Sequence, residues 1–316
     1  MSAPAAPAAP GSPAGNRARI RLAFAVIYTV WGVSYTVNRI MALSLPPLLA
    51  AGSRFLLAGG FLMLVTLARG LTLPRGRREW SILGIAAVLG ITVSNGLAVL
   101  ALQHIASNQA ALIGASSAFW LAWLGMYGRW GAAVSPRTWA GLAVGFSGVA
   151  LLLSAHGFGP QAQLQWQAAV VGSALCWALA SMLIRASHAH CDPLALTASY
   201  LLLGGALLGA LGLLHGDAAH WVWSARGLGA VVFLAIFSST FGFVSYTYLL
   251  RHETPSRIGT YAYVNPLVAV CTGWLVLGER LDGWQIAGSL VICLGVVLVR
   301  NLRLLPRGSA VADSRG

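Results

Sequence analysis

The stretch WGVSYTVNRIMALSLPPL, residues 31–48, has a counterpart 146 positions later in WALASMLIRASHAHCDPL, residues 177–194. Trp31, Arg39, Pro47 and Leu48 of the first stand in register with Trp177, Arg185, Pro193 and Leu194 of the second. Gly59 and Gly205 continue the match at the same offset. Farther along the offset becomes 147, with Gly131, Gly141 and Gly148 answered by Gly278, Gly288 and Gly295. Matches among glycines and leucines are cheap in a sequence rich in both. Tryptophan, arginine and proline recurring in order and in register are not, so the chain reads as a duplicated unit.

The medium of that unit follows from composition. The 316 residues are 58% hydrophobic and only 9% charged. A soluble domain carries roughly a quarter charged residues, so this chain cannot cover its surface for water, and part of its solvent must be lipid. The formal charge of +13 suggests nucleic acid at first sight. All 20 basic residues are arginines, however, set singly or in short groups between long apolar runs. No basic patch has an aqueous domain to sit on, and nucleic-acid binding is not expected. Cys176, Cys191, Cys271 and Cys293 read as small buried hydrophobes, with neither a disulfide framework nor metal-ligand spacing.

A helix crosses the hydrocarbon in about 20 apolar residues. Ten segments qualify or nearly so: about 20–41, 48–68, 81–102, 107–128, 138–154, 167–185, 194–214, 227–250, 258–278 and 284–300. The residues before them, Met1 to about Asn16, are Pro, Ala, Gly and Ser, and are expected to be disordered rather than a signal peptide. If the N-terminus is cytoplasmic, sixteen arginines fall on the cytoplasmic side. Arg39, Arg226 and Arg280 fall opposite, and Arg54 falls inside a span. That bias places both termini in the cytoplasm. The expected organisation is a tail over 1–19, a five-helix repeat over 20–154, a second over 167–300, and a cytoplasmic tail over 301–316. Five is odd, so the second repeat enters the membrane inverted. Inverted repeats around a midplane site are the hallmark of secondary transporters. The expected fold is therefore an all-α membrane protein, ten transmembrane helices in two inverted repeats around a central cavity, placed in the bacterial inner membrane.

Several short motifs resemble a known family. They are Trp31-Gly32 in the first span and Ser53-Arg54-Phe55-Leu56-Leu57-Ala58 in the second. In the ninth come Tyr263-Val264-Asn265-Pro266-Leu267 and Leu277-Gly278-Glu279-Arg280-Leu281, and in the tenth Gln285-Ile286-Ala287-Gly288 with Gly295. Together they resemble the EamA-type ten-helix branch of the drug/metabolite transporter superfamily over about residues 20–300. The resemblance implies transport of a small metabolite such as an amino acid, export rather than uptake. One departure stands out: the family's Leu-Gly-Glu often recurs at the end of the fourth span, where this chain reads Gly131-Ala132.

The polar residues locate a candidate site. Tyr28, Trp31, Tyr35 and Asn38 share one face of the first span. Thr92, Asn95 and Val99 do so in the third; Ser239, Phe243 and Tyr246 in the eighth; Tyr261 and Asn265 in the ninth. Lipid-facing helices have no reason to carry amides at mid-depth, so these faces point inward. Hydrogen bonds between helices suffice for any one of them; their convergence points to a cavity. The expected lining is Trp31, Tyr35, Asn95, Ser116, Trp177, Tyr246, Tyr263 and Asn265, drawn from the first, third, fourth, sixth, eighth and ninth spans. Repeat symmetry is expected to set Trp31 and Trp177 on opposing walls, able to stack on a substrate. The fifth and tenth spans, rich in glycine, should be peripheral.

Arg54, Glu279 and Pro266 are candidates for gating or ion pairing. Arg54 in mid-span costs roughly 2.5–3.5 kcal/mol on insertion scales. It either snorkels to the headgroups or pairs with Glu279 or a substrate carboxylate. Pro266 removes a backbone donor and is expected to kink its helix. No carboxylate or histidine lies in mid-span, which favours facilitated diffusion or exchange over tight proton coupling. His188, His190, Cys191 and Asp192 cluster in one loop, but their spacing fits no standard metal site. No cofactor or metal is expected. The glycine runs Gly141-Gly145-Gly148 and Gly205-Gly209-Gly212 fit packing within the bundle, with a homodimer as the alternative. The competing functional classes are a multipass membrane enzyme and a channel or sensor. The expected partners are a small-molecule substrate and the lipid bilayer.

Overall fold

The computed structural model describes residues 13–127, 139–141, 143–145, 147–148, 151, 161–186, 191–280 and 283–300. Every long element among them is helical. α1 is Pro13–Ser44, α2 Pro47–Ala68 and α3 Arg77–Ala101. α4 is Ser107–Gly114, α5 Ser117–Leu124 and α6 Gln161–Ala186. α7 is Pro193–Leu214, α8 Ala225–His252, α9 Tyr261–Leu277 and α10 Gly283–Arg300.

Six of these, α1, α2, α3, α6, α7 and α8, are long and apolar enough to cross a membrane, and shorter apolar stretches lie within α9 and α10. The chain is a multipass membrane protein. The fourth expected span is not one helix: after α4 the backbone tightens, with the N–H of Ser116 on the carbonyl of Ile113 at 3.0 Å, and α5 begins in a new phase. The fifth expected span lies partly outside the described residues. α1 begins at Pro13, inside the stretch 1–19 expected as a tail, and proline is suited to a first helical turn. Residues 1–12 and 301–316 lie outside the described residues.

Helix ends follow local sequence. Pro47 and Pro193 each open a helix, where their missing N–H is not needed. Asp192 caps α7 by accepting from the N–H of Leu194 at 2.8 Å. α2 has no such side chain of its own, and the buried Asp217, between α7 and α8, accepts from the N–H of Leu49 at 3.0 Å.

α2 and α7 meet backbone to backbone. A Cβ at Gly52 would sit 2.5 Å from Cα of Gly209, so the helices could not approach this closely with a larger residue at Gly52. The contact pairs off by repeat. Gly59 abuts the backbone of Leu202 and Gly205 that of Leu56, and both pairs of counterparts are 146 residues apart. The same offset separates two π-helical segments, Val88–Val93 in α3 and Leu234–Gly242 in α8. The arginines match as well. Arg39 donates to the carbonyls of Leu102 and Ile105 at the end of α3. Arg185 donates to those of Leu250 and Glu253 at the end of α8. Each therefore satisfies carbonyls that its neighbouring helix leaves without intrahelical partners. α10 packs on α9 and exposes Trp284, Leu290 and Leu294, while Gly295 lies against Gly145.

Candidate functional site

A cavity of about 140 Å³ lies between α1, α2, α3, α4, α5, α6, α8 and α9. No described residue of α7 or α10 lines it. The lining is neutral apart from Arg54, and contains no Asp, Glu or His among the described residues.

One wall is aromatic. Trp31 is surrounded by Tyr246 at 5.0 Å between ring centroids, Tyr261 at 5.3 Å, Trp177 at 5.5 Å and Phe243 at 5.6 Å. Trp31 Nε1 donates to the carbonyl of Ser238 at 3.2 Å, inside the π-helical segment of α8. Gly242 makes this seat possible, since a Cβ there would lie 2.3 Å from Trp31 Nε1. The tryptophans do not face each other across a gap as expected. They touch edge to face, at 82°, so no ring-sized ligand fits between them; aromatic pairs prefer that arrangement to a parallel sandwich.

Another part of the lining is polar, and the π-helical segment of α3 shapes it. Such a segment shifts the backbone pairing by one residue, and Asn95 Nδ2 donates to the carbonyl of Gly90, five residues back, at 2.8 Å. That bond turns Oδ1 of Asn95 to accept from Arg54 Nη2 at 3.0 Å. Arg54 does not snorkel. It is 2% exposed, lines the cavity and rests on the Phe55 ring at 4.2 Å. Its expected pairing with Glu279 is not formed either.

Glu279 follows α9, is not among the lining residues, and is placed by its own motif. Gly278 takes a left-handed backbone, φ 67°, and the N–H of Glu279 returns to the carbonyl of Gly273 at 3.2 Å. The carboxylate then accepts from the N–H of Ser107 at 2.9 Å, its hydroxyl at 2.8 Å and the N–H of Asn108 at 3.1 Å. It thereby closes the N-terminus of α4, where a negative charge is favoured. Arg39 Nε completes the arrangement at 3.3 Å. Arg39, not Arg54, is therefore the partner of Glu279.

Of the expected lining, Trp31, Tyr35, Asn95, Trp177 and Asn265 border the cavity. Tyr246 stands behind the tryptophans with its hydroxyl 2.7 Å from that of Ser181. Ser116 is buried away from the cavity, and Ser117 takes its place, 3.4 Å from the Tyr261 hydroxyl. The tightened turn between α4 and α5 rotates the face by one residue. The side chain of Tyr263 lies outside the described residues. Asn265 is oriented with its amide nitrogen on the carbonyls of Ile27, Tyr28 and Tyr261, at 3.1–3.2 Å, and ties α9 to α1. Pro266 lies inside α9, which continues as one helix to Leu277. Thr92 turns from the cavity toward the carbonyl of Gly204 at 3.3 Å.

Asn38, Ser94 and Ser173 also border the cavity. Asn38 lay on the inward stripe of the first span, whereas serines in apolar helices carry no signal that separates lining from packing. Among the described residues no group of three or more His, Cys, Asp and Glu could hold a metal. His188 and His190 lie outside them. Cys271 is exposed, against the expectation of a buried hydrophobe, and all four cysteines are free.

Known proteins share this architecture. The model of the EamA-like transporter family matches residues 20–154 and again 164–301. The chain is 33% identical over 286 residues to "Uncharacterized inner membrane transporter YedA" of Escherichia coli (strain K12), covering 88% of this chain and 89% of that one. It is 28% identical over 304 residues to "Uncharacterized transporter YvbV" of Bacillus subtilis (strain 168), covering 94% and 95%. A solved structure described only as "Crystal structure of protein" superposes with a TM-score of 0.70 at 20% identity, over 90% of this chain and 97% of that chain.

Proposed function

The chain belongs to the EamA-like transporter family, and from that premise we propose that it exports a small metabolite such as an amino acid by alternating access around the cavity. The observation that carries this reading is the cavity itself: one aromatic wall, one polar wall, and room for a molecule of single-ring size. An engineered cavity of about 150 Å³ binds benzene, and this one measures about 140 Å³.

The proposed organisation is two five-helix repeats of opposite orientation, ten spans in all, with both termini cytoplasmic. The repeat-paired contacts of α2 with α7 and the matched π-helical segments support it, as does the bias of sixteen arginines to one side. The glutamate end then faces outward and the Arg185 end inward. In this reading alternating access opens one end while the other stays shut. In this proposal the chain is a transporter rather than an enzyme, and it acts in a bacterial inner membrane.

The test is a survey of amino-acid and metabolite flux in proteoliposomes, run beside reporter fusions after Arg303 and in the loop near Asp217. Saturable counterflow of one small metabolite, with the two reporters on opposite sides, supports the proposal. Single-channel current, or both reporters on one side, contradicts it.

A further inference from the structure

The connection from α2 to α3 gathers four arginines. Arg69 follows the last residue of α2, Arg75 lies in the loop, and Arg77 and Arg78 open α3. All four are exposed, and none forms an ion pair among the described residues. Glu79 is the one acid nearby, and its Oε2 accepts from the backbone N–H of Arg75 at 2.9 Å. The stability of α3 does not account for Arg77 and Arg78, since the first turn of a helix favours negative charge.

The second repeat builds the same connection without that charge. At the offset of 146, Gly70 answers Gly216, and both take a left-handed backbone, φ 59° and 88°. His215, Trp221, Trp223 and Ser224 stand where Arg69, Arg75, Arg77 and Arg78 do. Gly52 meets Gly209 while Gly59 meets Leu202, so α2 and α7 run antiparallel and the two connections lie at opposite ends of the pair. The turn therefore does not need arginine, and the charge belongs to one end only.

Its surroundings are those of a membrane interface. Leu64 and Leu67, exposed on the last turns of α2, lead directly to Arg69. Trp80 is also exposed, with its indole N–H on the carbonyl of Pro74 at 3.1 Å; tryptophans gather at headgroup level. The loop is held in place, because the carbonyl of Thr72 accepts from the N–H of Asp192, beside the start of α7, at 3.0 Å. Guanidinium groups presented at that depth match phosphate oxygens, which they bind through paired hydrogen bonds.

We propose that this connection is a binding site for an anionic phospholipid. Arg69, Arg75, Arg77 and Arg78 take the phosphodiester of the headgroup, and Trp80 lies at the boundary with the acyl chains. None of these residues lines the cavity, so the site stands apart from whatever the cavity carries.

The experiment uses the purified full-length protein in a neutral detergent. Binding of short-chain phosphatidylglycerol, short-chain phosphatidylcholine and inorganic phosphate is followed by native mass spectrometry and by the thermal midpoint. Phosphatidylglycerol is expected to be retained and to raise the midpoint, and the other two are not. Each arginine is expected to contribute about fivefold at low salt, so Arg75→Gln/Arg77→Gln/Arg78→Gln binds this lipid about a hundredfold more weakly. The corresponding lysine variant keeps part of the affinity. Arg17→Gln/Arg19→Gln/Arg21→Gln removes equal charge from the start of α1 and is expected to change binding by less than about threefold. Arginines that serve only to orient the chain during insertion would leave the purified protein indifferent to lipid charge. Equal binding of the two lipids therefore overturns the inference. So does parental binding by the α3 variant, an equal loss in the α1 variant, or phosphate competing as strongly as the lipid. If the triple α3 variant is not recovered, the single variants Arg75→Gln, Arg77→Gln and Arg78→Gln decide, at about fivefold each.

Discussion

Glu279 lies 3.3 Å from Arg39 and, through Ser107 and Asn108, joins the end of α9 to the end of α1 and the start of α4. Three elements of the cavity wall are thus tied together by one carboxylate that is almost fully buried. The matching place in the first half reads Gly131-Ala132, so the repeat supplies Arg185 with no counterpart glutamate. The two ends of the molecule differ chemically although their backbones derive from one unit.

Glu279→Ala removes charged hydrogen bonds and leaves Arg39 without its partner. A loss of about 1.5–3 kcal/mol is expected, since hydrogen bonds to charged groups contribute on that scale. In detergent this appears as a thermal midpoint several degrees lower. Glu279→Gln, which can still accept from Ser107, is expected to lose less. An unchanged midpoint in both variants would show that the tie does not hold this end closed.

Gly242 tests the seat of Trp31. An alanine there would place Cβ 2.3 Å from Trp31 Nε1, and the indole cannot yield without leaving the carbonyl of Ser238. Gly242→Ala is expected to reduce transport at least tenfold. Gly60→Ala serves as the control, because a Cβ there meets nothing within 4 Å. Equal flux in the two variants, at matched abundance in the membrane, contradicts the role given to the aromatic wall.

Much of this fold was legible in the sequence because lipid imposes simple rules on a chain. Apolar runs between arginines mark the long helices, and the Trp-Arg-Pro register marks the repeat. The offset of 146 even relates the two π-helical segments, though nothing in Val88–Val93 announces a π-helix by composition. The site was less legible for local reasons. A single tightened turn after α4 exchanges Ser116 for Ser117 on the cavity wall. The edge-to-face contact of Trp31 with Trp177 depends on how α8 seats both rings, which repeat symmetry does not specify. The partner of Glu279 could not be read either: Arg39 and Arg54 both lie near the same end, and only the left-handed turn at Gly278 decides between them.

The cavity lining contains no carboxylate or histidine among the described residues, and intramembrane groups of that kind are what proton-driven transporters titrate. Counterflow in proteoliposomes is therefore expected to persist, within about twofold, when an uncoupler collapses the proton gradient. Abolition of flux by the uncoupler, together with loss of its pH dependence in Glu279→Gln, would overturn that expectation.

The central claim is that the cavity bounded by Trp177 and Asn95 is where the transported molecule binds. The most direct measurement is the initial rate of counterflow for the metabolite that gives the largest parental flux, compared among parent, Trp177→Ala and Asn95→Ala at equal reconstituted amounts. The account expects both variants to fall at least tenfold, by loss of aromatic contact in one and release of Arg54 in the other, with abundance in the membrane near normal. Parental rates in both variants would contradict it.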